Sequence, residues 1–586
     1  MSSITPSHIV DTLTDVSSAL LASLRRVPSS AALSSVGVLA AAYVILFQYF
    51  EINQPAGWRK VPSVTGKAIW NLFFKKTLEE QYQGFFKPTH EEHGILRSSL
   101  IRFNRVEVST PEFARQILSQ PGTLVPSLIF THAFPKLIIA DRDPTSLTAL
   151  FFGTNLVFSN GDVWKRHRRI ANPAFHRAWN TQVFGDLSLD MFEELDKLVE
   201  KGKTADVHDF VQRLTLDALG KTVFDFNFGA IKNPESDYVK TYNEIMKGRV
   251  CCTINSLQRS TFSGSTSSLY IIFPWLDKFP LTRRYNSFKN VKHFNALIDN
   301  LIDKRRKELD TNGIADEDYT DLLSLMIKAS DDEKNPSARK SMNDVEMRVS
   351  IIINNMVIFF LAGHDTTANA LACVIYYLAV HQVNHLALCF IFFISFIQGL
   401  RFHIFTSQSQ DVQRKAHAEV LTLLSADSTA LVTPTFDETK HLPYLTNIIK
   451  ETLRLCPSVA QLPMRIASRD VAMGPYIIPQ NTFITINFFA LHHSRKVWGD
   501  DAEEFRPERF EGHQVDEKLA DPDADPAVGE GKRDTYSWLP FSFGSRSFQK
   551  YEWSLPANSP HKDNILFRPG NLLRPKNLQI QFKKRM

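Results

Sequence analysis

The chain has 586 residues, of which 44% are hydrophobic and 22% are charged, and this composition excludes a disordered or collagen-like protein. Its formal net charge of +5 is small for this length and no basic tract stands out, so nucleic acid is not an expected partner. The five cysteines form no C-x-x-C pair and show no regular spacing, which argues against a disulfide framework and against a zinc site. We therefore expect the main domain to lie in a reducing compartment.

An uncharged stretch near the start of the chain, residues 31–50, has the length of a membrane-spanning helix. As a helix it would extend about 30 Å, the thickness of the hydrocarbon layer of a bilayer. A cleaved signal peptide ends in small residues, whereas this stretch ends in bulky ones, so a buried core helix is the stronger alternative. Basic residues are sparse before the stretch (Arg25, Arg26) and denser after it, which favours a cytosolic main domain: Arg59, Lys60, Lys67, Lys75 and Lys76.

Residues 1–53 are thus predicted to form a tail with a single membrane anchor, and residues 54–586 to form one large domain. Two short segments are rich in β-forming residues, FNRVEVST from Phe103 and TFITINFFA from Thr482. Helical periodicity is far more extensive, so the pattern predicts a mainly helical domain with a small β part. Apolar residues recur at three- and four-residue spacing in residues 190–203, 294–309, 345–380 and 446–455.

The longest predicted helix carries the polar motif AGHDTT, at residues 362–367, inside an apolar run. Gly363 weakens the helix, and a Thr hydroxyl can bond to the carbonyl one turn earlier, so the helix can open into a groove for a small ligand and water. In such a groove Asp365 and Thr366 are placed to deliver protons. The alternative is a kinked core helix in which Asp365 pairs with a neighbouring side chain.

A second motif, ETLR, places Glu451 and Arg454 three residues apart on one face of a predicted helix, where they can pair. Most such pairs are solvated surface bridges, so the motif is weak by itself. Residues further along the chain strengthen the evidence from this motif: Pro457, Arg465 and the segment FRPERF at residues 505–510.

The order AGHDTT, ETLR, FRPERF and FSFGSR, the last at residues 541–546, resembles that of the cytochrome P-450 monooxygenases. The segment WKRHR, beginning at Trp164, resembles the family's W-x-x-x-R motif, and the predicted anchor resembles that of membrane-bound, fungal-type members. This resemblance implies an α-rich triangular fold with a small β-lobe, a haem b cofactor, and insertion of one oxygen atom of O2 into an apolar substrate. It also implies electrons from NADPH through an NADPH-cytochrome reductase, and a location at the endoplasmic reticulum membrane.

The resemblance also assigns roles to single residues. Asp365 and Thr366 match the family's acid-alcohol pair, which relays protons during oxygen activation. Glu451, Arg454 and Arg509 match the family's salt-bridge triad. The role of the triad is structural, since removing one partner would leave a buried charge at a cost of several kcal/mol.

The cofactor-binding residues implied by the resemblance lie around the haem edge or in its ligand loop. Arginine suits the two haem propionates because the planar guanidinium can bind a carboxylate through two parallel hydrogen bonds. For each arginine the alternative is an ordinary surface charge. The implied set is Trp164, Arg168, Arg465, Phe541, Gly544 and Arg546.

The ligand loop departs from the family pattern F-x-x-G-x-R-x-C-x-G at the iron-binding position. Phe548 stands where the family has cysteine, and Lys550 stands where it has glycine. A phenyl ring has no lone pair and cannot coordinate iron as a thiolate does, so no metal ligand is assigned in this loop. Residues 551–556 already resemble the family's C-terminal β-segment, and the helix that should follow the cysteine is missing.

Residues 383–410 are a second departure, because they contain six phenylalanines and no acidic residue and have no counterpart in the family. Joining the flanks gives LAVHQDVQRKAHAEV, a regular amphipathic helix. The segment begins with Val383, whose codons start with GT, and ends with Gln410, which CAG encodes. We interpret it as translated intron sequence, and the part missing after Ser547 as a skipped exon. A second membrane helix is the alternative, although residues 386–400 are short for a span.

Two functions of different class therefore stay open. The first is a monooxygenase whose sequence is damaged here, and the second is a haem-free relic that serves as a membrane-tethered binding or scaffold protein. The intact pair of Asp365 and Thr366 favours the first, and it argues against related enzymes that isomerise or dehydrate without O2. Residues 124–155 and 239–272 are expected to line the substrate pocket, and their apolar character predicts an apolar substrate.

Overall fold

The structure is a computed structural model. The predicted anchor, residues 383–409, Trp164, Arg168 and the ligand loop lie outside the residues that it describes. Those residues are 56–64, 79, 82–100, 103–119, 124–126, 151, 153–156, 159, 163, 165–167, 181–247, 283–312, 322–332, 343–380, 410–423, 438–461, 465–511, 535–539, 551–554 and 579–584.

Helices dominate the described part of the chain, as the apolar periodicity predicts. The predicted helix over residues 345–380 is present, with a break at residues 361–365. In chain order the helices are α1 (Ala56–Arg59), α2 (Lys87–His93), α3 (Pro111–Ser119), α4 (Thr181–Glu200), α5 (Val207–Val223), α6 (Asp237–Lys247), α7 (Arg283–Asn312), α8 (Leu322–Asp332), α9 (Asn343–Phe360), α10 (Thr366–Val380), α11 (Gln410–Leu423), α12 (Pro443–Leu455), α13 (Phe488–His492) and α14 (Arg495–Trp498).

The prediction of a helix over residues 190–203 is wrong at its C-terminal end, because α4 stops at Glu200. Gly202 has a φ of +62°, a left-handed conformation that glycine adopts without steric cost. The amide of Lys203 then donates to the carbonyl of Leu198 at 2.9 Å, which closes the helix in a Schellman-type turn. A glycine shortly after the last periodic residue is the signal that marks this end.

The β-lobe is small and combines strands from distant parts of the chain. The strands are β1 (Ile95–Leu100), β2 (Phe103–Val108), β3 (Leu124–Pro126), β4 (Ala205–Asp206), β5 (Arg465–Ala467), β6 (Val471–Met473), β7 (Tyr476–Ile478), β8 (Phe483–Ile486), β9 (Tyr551–Ser554) and β10 (Gln579–Lys584). Five of them form one sheet in the order β1-β2-β8-β5-β3, in which β2 and β8 run parallel with Val106 opposite Ile484. The other pairings between these strands are antiparallel.

The segment TFITINFFA divides between two kinds of structure, so its prediction as a β piece holds for the first half alone. Residues Phe483–Ile486 form β8, whereas Phe488 begins α13. Asn487 separates the two because its side-chain oxygen accepts a hydrogen bond from the Ala490 amide at 3.0 Å and caps the new helix.

Three large clusters of buried apolar side chains, and a small one around Trp498 and Phe510, hold the described elements together. One lies in the β-lobe and includes Trp58 and Ile484. A second joins α6, α7, α8 and α9 around Tyr242 and Phe360. The third joins α4, α5, α10 and α12 and includes Ala372. The long helix of α9 and α10 therefore contributes to both helical clusters and runs through the middle of the domain.

Within the described residues, one helix is long and apolar enough to cross a membrane, Ile352–Ala379, with a mean hydropathy of 1.3. Of the 18-residue window of this helix that meets the criterion, 56% is buried inside the domain. Its packing in the helical clusters explains its apolar character as that of a core helix.

Candidate active site

The helix of α9 and α10 changes its winding at the AGHDTT motif. Residues Leu361–Asp365 form a π-helical turn between the two α-helical parts. The Thr366 hydroxyl donates a hydrogen bond to the Ala362 carbonyl, one turn earlier. A wide turn together with a side-chain bond to the backbone is the local opening that the glycine and threonine pattern predicts.

Gly363 lies where α5 approaches this turn most closely. A Cβ atom at this position would lie 2.7 Å from Cδ1 of Leu219, closer than side-chain atoms normally come. The absence of a side chain therefore allows α5 to lie directly against the opened turn.

Asp365 lies in a buried cluster that joins three helices, and we call Asp365, Gln212 and Tyr242 the Asp365 cluster. Gln212 on α5 donates to Asp365 Oδ1 at 3.0 Å, and the Tyr242 hydroxyl on α6 donates to Oδ2 at 3.1 Å. The His364 ring lies 3.4 Å from Oδ1. Asp365 thus pairs with neighbouring side chains, as the interpretation of a kinked core helix predicts. The helix also opens at the motif, as the interpretation of a ligand groove predicts.

The carbonyl groups next to the break are also bonded to neighbouring segments. The Thr215 hydroxyl oxygen lies 3.2 Å from the His364 carbonyl oxygen and 2.9 Å from that of Val211 in its own helix, so the two carbonyls share its proton. Ser458, which follows α12, donates to the Thr366 carbonyl at 2.8 Å. These bonds satisfy buried backbone acceptors and connect the opened turn to α5 and to the end of α12.

Glu451, Arg454 and Arg509 meet in a second buried group, the Glu451 cluster. Arg454 binds the carboxylate through two hydrogen bonds, from Nε at 2.7 Å and from Nη2 at 2.8 Å. Arg509 adds a third from Nε at 3.2 Å. The side chains of all three are 0% exposed. The structure therefore brings together the residues that the ETLR and FRPERF motifs predict as a triad.

The Glu451 cluster also holds backbone segments in place. Arg454 Nη1 donates to the carbonyls of His492 at 2.8 Å and Ala502 at 2.6 Å. Arg509 donates to the Asp501 carboxylate at 2.7 Å, and this hydrogen bond lowers the pKa of Asp501. The two guanidinium groups thus use several donors each, which reduces the cost of burying them.

Arg465 lies on β5, half-buried in the β-lobe. Its Nη1 donates to the Ile117 carbonyl at 2.8 Å, and burial lowers its pKa. The remaining residues implied for the cofactor lie outside the described residues: Trp164, Arg168, Phe541, Gly544 and Arg546, together with Phe548.

The two cysteines in the described part of the chain are both buried, at the contact between α10 and α12. Cys373 and Cys456 are hydrogen-bonded to each other, and this bond and burial raise the pKa of Cys373 well above its usual value. The Tyr377 hydroxyl lies 3.5 Å from Cys456 Sγ. A buried thiol with a raised pKa, such as that of Cys373, is structural rather than reactive.

Comparison with known proteins identifies the family. The family described as cytochrome P-450 matches residues 62–384 and 401–547. Cytochrome P-450 734A6 of Oryza sativa subsp. japonica is 28% identical over 403 residues, 67% of this chain and 62% of the relative. Cytochrome P-450 3A12 of Canis lupus familiaris is 25% identical over 68% of this chain and 65% of the relative. Cytochrome P-450 72A397 of Kalopanax septemlobus is 25% identical over 79% of this chain and 73% of the relative.

The chain spans less than two thirds of the length of several of these relatives, for example 62% and 65%. The family match nevertheless extends over most of this chain and includes both buried clusters. Its mainly helical architecture with a small sheet agrees with the same family. The chain therefore belongs to the cytochrome P-450 family.

Proposed function

We propose that the complete form of this protein is a haem-dependent monooxygenase that inserts one oxygen atom of O2 into an apolar organic substrate. The observation that carries the proposal is the opened helix at residues 361–365, with Asp365 and Thr366 buried beside it in a chain of this family. Electrons come from NADPH through a reductase partner. Residues 31–50 anchor the protein in the endoplasmic reticulum membrane, with the main domain in the cytosol.

The family implies a haem cofactor, which supplies the oxygen-activating chemistry when it is bound. The donor set of the chain as written does not fit a thiolate-bound haem, since Phe548 stands at the ligand position and has no lone pair. Cys373 and Cys456 are no substitutes, because both are buried in the contact between two helices. We therefore expect the chain as written to lack monooxygenase activity.

The boundaries of the family match support the interpretation that the sequence is damaged. The match omits residues 385–400, which lie inside the anomalous segment 383–410, and it ends at Ser547, directly before Phe548. Both departures thus coincide with interruptions in the match. We propose that residues 383–410 are translated intron sequence and that a skipped exon after Ser547 encodes the cysteine and the helix that follows it.

In the complete form, the residues that handle protons are Asp365 and Thr366. The Thr366 hydroxyl donates to Ala362, which leaves its lone pairs available to accept a proton-bearing neighbour. Asp365 has to exchange one of its present partners, Gln212 or Tyr242, before it can donate or accept elsewhere. Both partners are neutral, so the exchange is less costly than breaking a buried ion pair.

Phe548 and Lys550 favour a second function, a haem-free relic that acts as a membrane-tethered binding or scaffold protein. The transcript sequence across codons 382–411 and 547–551 distinguishes the monooxygenase from the relic. A transcript without codons 383–410 and with a cysteine two residues after Arg546 supports the monooxygenase. A transcript that reads Phe548, Gln549 and Lys550 overturns it in favour of the relic.

A spectroscopic experiment tests the activity directly. The chain as written and the chain corrected from the transcript are expressed in microsomes with the reductase. We expect the corrected chain to show the family's red-shifted carbon-monoxide difference band and NADPH-dependent oxygenation of apolar compounds, and the chain as written to show neither. A thiolate spectrum from the chain as written would mean that another cysteine reaches the iron.

A further inference from the structure

The short segment 535–539 lies immediately before the ligand loop and is held from two sides. The Arg115 guanidinium of α3 lies 5.3 Å from the centre of the Tyr536 ring. The Trp538 ring lies 5.3 Å from that of Phe510, the last residue of the FRPERF motif. The segment is thus packed between the β-lobe and the region around the Glu451 cluster.

A single polar contact fixes the last residue of this segment. The Leu539 amide donates to Nε2 of His492 at 3.0 Å. His492 ends α13 and is 0% exposed. Burial, together with the positive charge of Arg454, lowers the pKa of His492 to about 3, so the ring is neutral and Nε2 keeps its lone pair.

His492 is also held by the Glu451 cluster. Arg454 Nη1 donates to the His492 carbonyl at 2.8 Å, and Arg454 is itself bound by Glu451. A continuous series of hydrogen bonds therefore runs from the cluster through His492 to the Leu539 backbone. Phe541, the first residue of the ligand loop, lies two positions further along the chain.

We infer that His492 is a positioning residue: its imidazole holds the Leu539 backbone and thereby fixes the position of the chain two residues before Phe541, where the ligand loop begins in sequence. The inference rests on the proposed function in one respect, the role of that loop as the haem-ligand loop. The contact itself belongs to the chain as written and requires no haem.

A buried histidine can also serve as packing alone, and its ring does lie against Phe488 at 6.2 Å between ring centres. Two substitutions separate packing from positioning. In His492→Gln the side-chain oxygen can reach the place of Nε2 and accept the same hydrogen bond. In His492→Asn the oxygen reaches the place of Nδ1 and cannot. Both variants lose the ring contact with Phe488, so loss of that contact alone predicts similar exchange of the Leu539 amide in both.

The experiment measures hydrogen exchange of the Leu539 amide in the full chain, purified in detergent. We expect His492→Asn to speed this exchange about tenfold, the factor that corresponds to about 1.4 kcal/mol and to the loss of one buried hydrogen bond. His492→Gln should restore most of the protection. His493→Asn is the matched control, because the His493 ring is bonded to Glu503 and to the Leu455 carbonyl instead.

Equal exchange in the Gln and Asn variants, or an equal effect of His493→Asn, overturns the inference. If His492→Asn does not fold, the exchange of the Leu539 amide in the unmodified chain is a test that needs no variant. An unprotected Leu539 amide in that chain also overturns the inference. Because no haem is involved, a failure of the monooxygenase proposal leaves these outcomes unchanged, and the two results can be told apart.

Discussion

The Glu451 cluster and the Asp365 cluster each bury a carboxyl group in the helical core, but the partners differ in charge. Glu451 is bound by two guanidinium groups, whereas the hydrogen bonds to Asp365 come from an amide and a phenol, with the His364 ring 3.4 Å from Oδ1. Removing the Glu451 carboxylate leaves a guanidinium charge in a medium that solvates it poorly, at a cost of about 3–5 kcal/mol. Removing one neutral donor costs about 1 kcal/mol.

This difference separates a group that fixes the fold from a group whose bonds can be exchanged. Arg454 of the Glu451 cluster binds the carbonyls of His492 and Ala502. A rearrangement of the cluster would therefore displace the backbone at these two residues. The Asp365 cluster holds side chains of α5 and α6, and the proposed proton relay would have the carboxyl group change partners while both helices stay in place. A proton relay requires such exchange, and neutral donors make it inexpensive.

The largest expected effect comes from neutralising the two carboxyl groups in parallel. Glu451→Gln leaves the buried Arg454 guanidinium without its carboxylate partner, while Arg509 keeps Asp501, and should lower the free energy of unfolding by about 3–5 kcal/mol. Asp365→Asn keeps an acceptor for one neutral donor and should lower it by about 1 kcal/mol. Urea unfolding followed by tryptophan fluorescence measures both. If the two variants lose the same free energy of unfolding, the charge of the partners does not distinguish the Glu451 cluster from the Asp365 cluster.

A smaller effect is expected at the contact between α5 and the opened turn. Gly363→Ala places a Cβ 2.7 Å from Leu219 Cδ1, a side-chain end that must turn away, so the crowding should offset the gain of about 1 kcal/mol from the higher helix propensity of alanine and leave the stability nearly unchanged. In a Leu219→Ala background the crowding is absent, so the same change should be stabilising. An identical effect of Gly363→Ala in both backgrounds would show that Leu219 is not the cause.

The sequence predicts the Glu451 cluster better than the Asp365 cluster, and the reason is physical. Glu451 and Arg454 are three residues apart on one helix, so a local motif places them together. Gln212 and Tyr242 lie 153 and 123 residues from Asp365 in sequence. Tertiary packing alone brings them to the carboxyl group, and neither carries a motif of its own.

The same limit on prediction from sequence applies to the fold and to the hydrogen bond between Leu539 and His492. Apolar periodicity predicts α7, α9, α10 and α12, because each buries a face against neighbouring helices. The hydrogen bond between Leu539 and His492 spans 47 residues and involves a backbone amide, a group that every residue except proline carries. Sequence pattern gives no signal for a contact of this kind.

The neutral donors of the Asp365 cluster should contribute little one at a time. Tyr242→Phe removes the hydroxyl bonded to Oδ2 of Asp365 and should lower the free energy of unfolding by about 1 kcal/mol, since the ring stays packed. Tyr238→Phe on the same helix is the matched control, and it should have a smaller effect because that side chain is half-buried and its hydroxyl can bond to water. The same urea titration compares them. A loss as large as that of Glu451→Gln would place Asp365 among the structural carboxylates.

The smallest effect is expected at Glu503, a carboxylate that is partly exposed. Burial raises its pKa, but the hydrogen bonds and charges of His493 and Lys87, each 2.7 Å away, outweigh burial and hold the pKa of Glu503 well below its ordinary value of 4.5. With a lowered pKa, the unfolded state binds the proton more readily than the folded state. The stability that Glu503 contributes is therefore present above about pH 4.5 and is lost as the pH falls below that value.

Glu503→Gln should accordingly make the free energy of unfolding depend less steeply on pH between about pH 5 and pH 3. Glu504→Gln, at the exposed neighbouring position, is the matched control and should leave the slope unchanged. Urea titrations at several pH values measure the slope for all three proteins. Because Lys87 belongs to α2, the acid-induced loss should appear first as faster exchange of the α2 amides, while the fully buried Glu451 cluster remains protected. An unchanged slope in Glu503→Gln would mean that the contact between Glu503 and α2 contributes nothing to the stability of the fold.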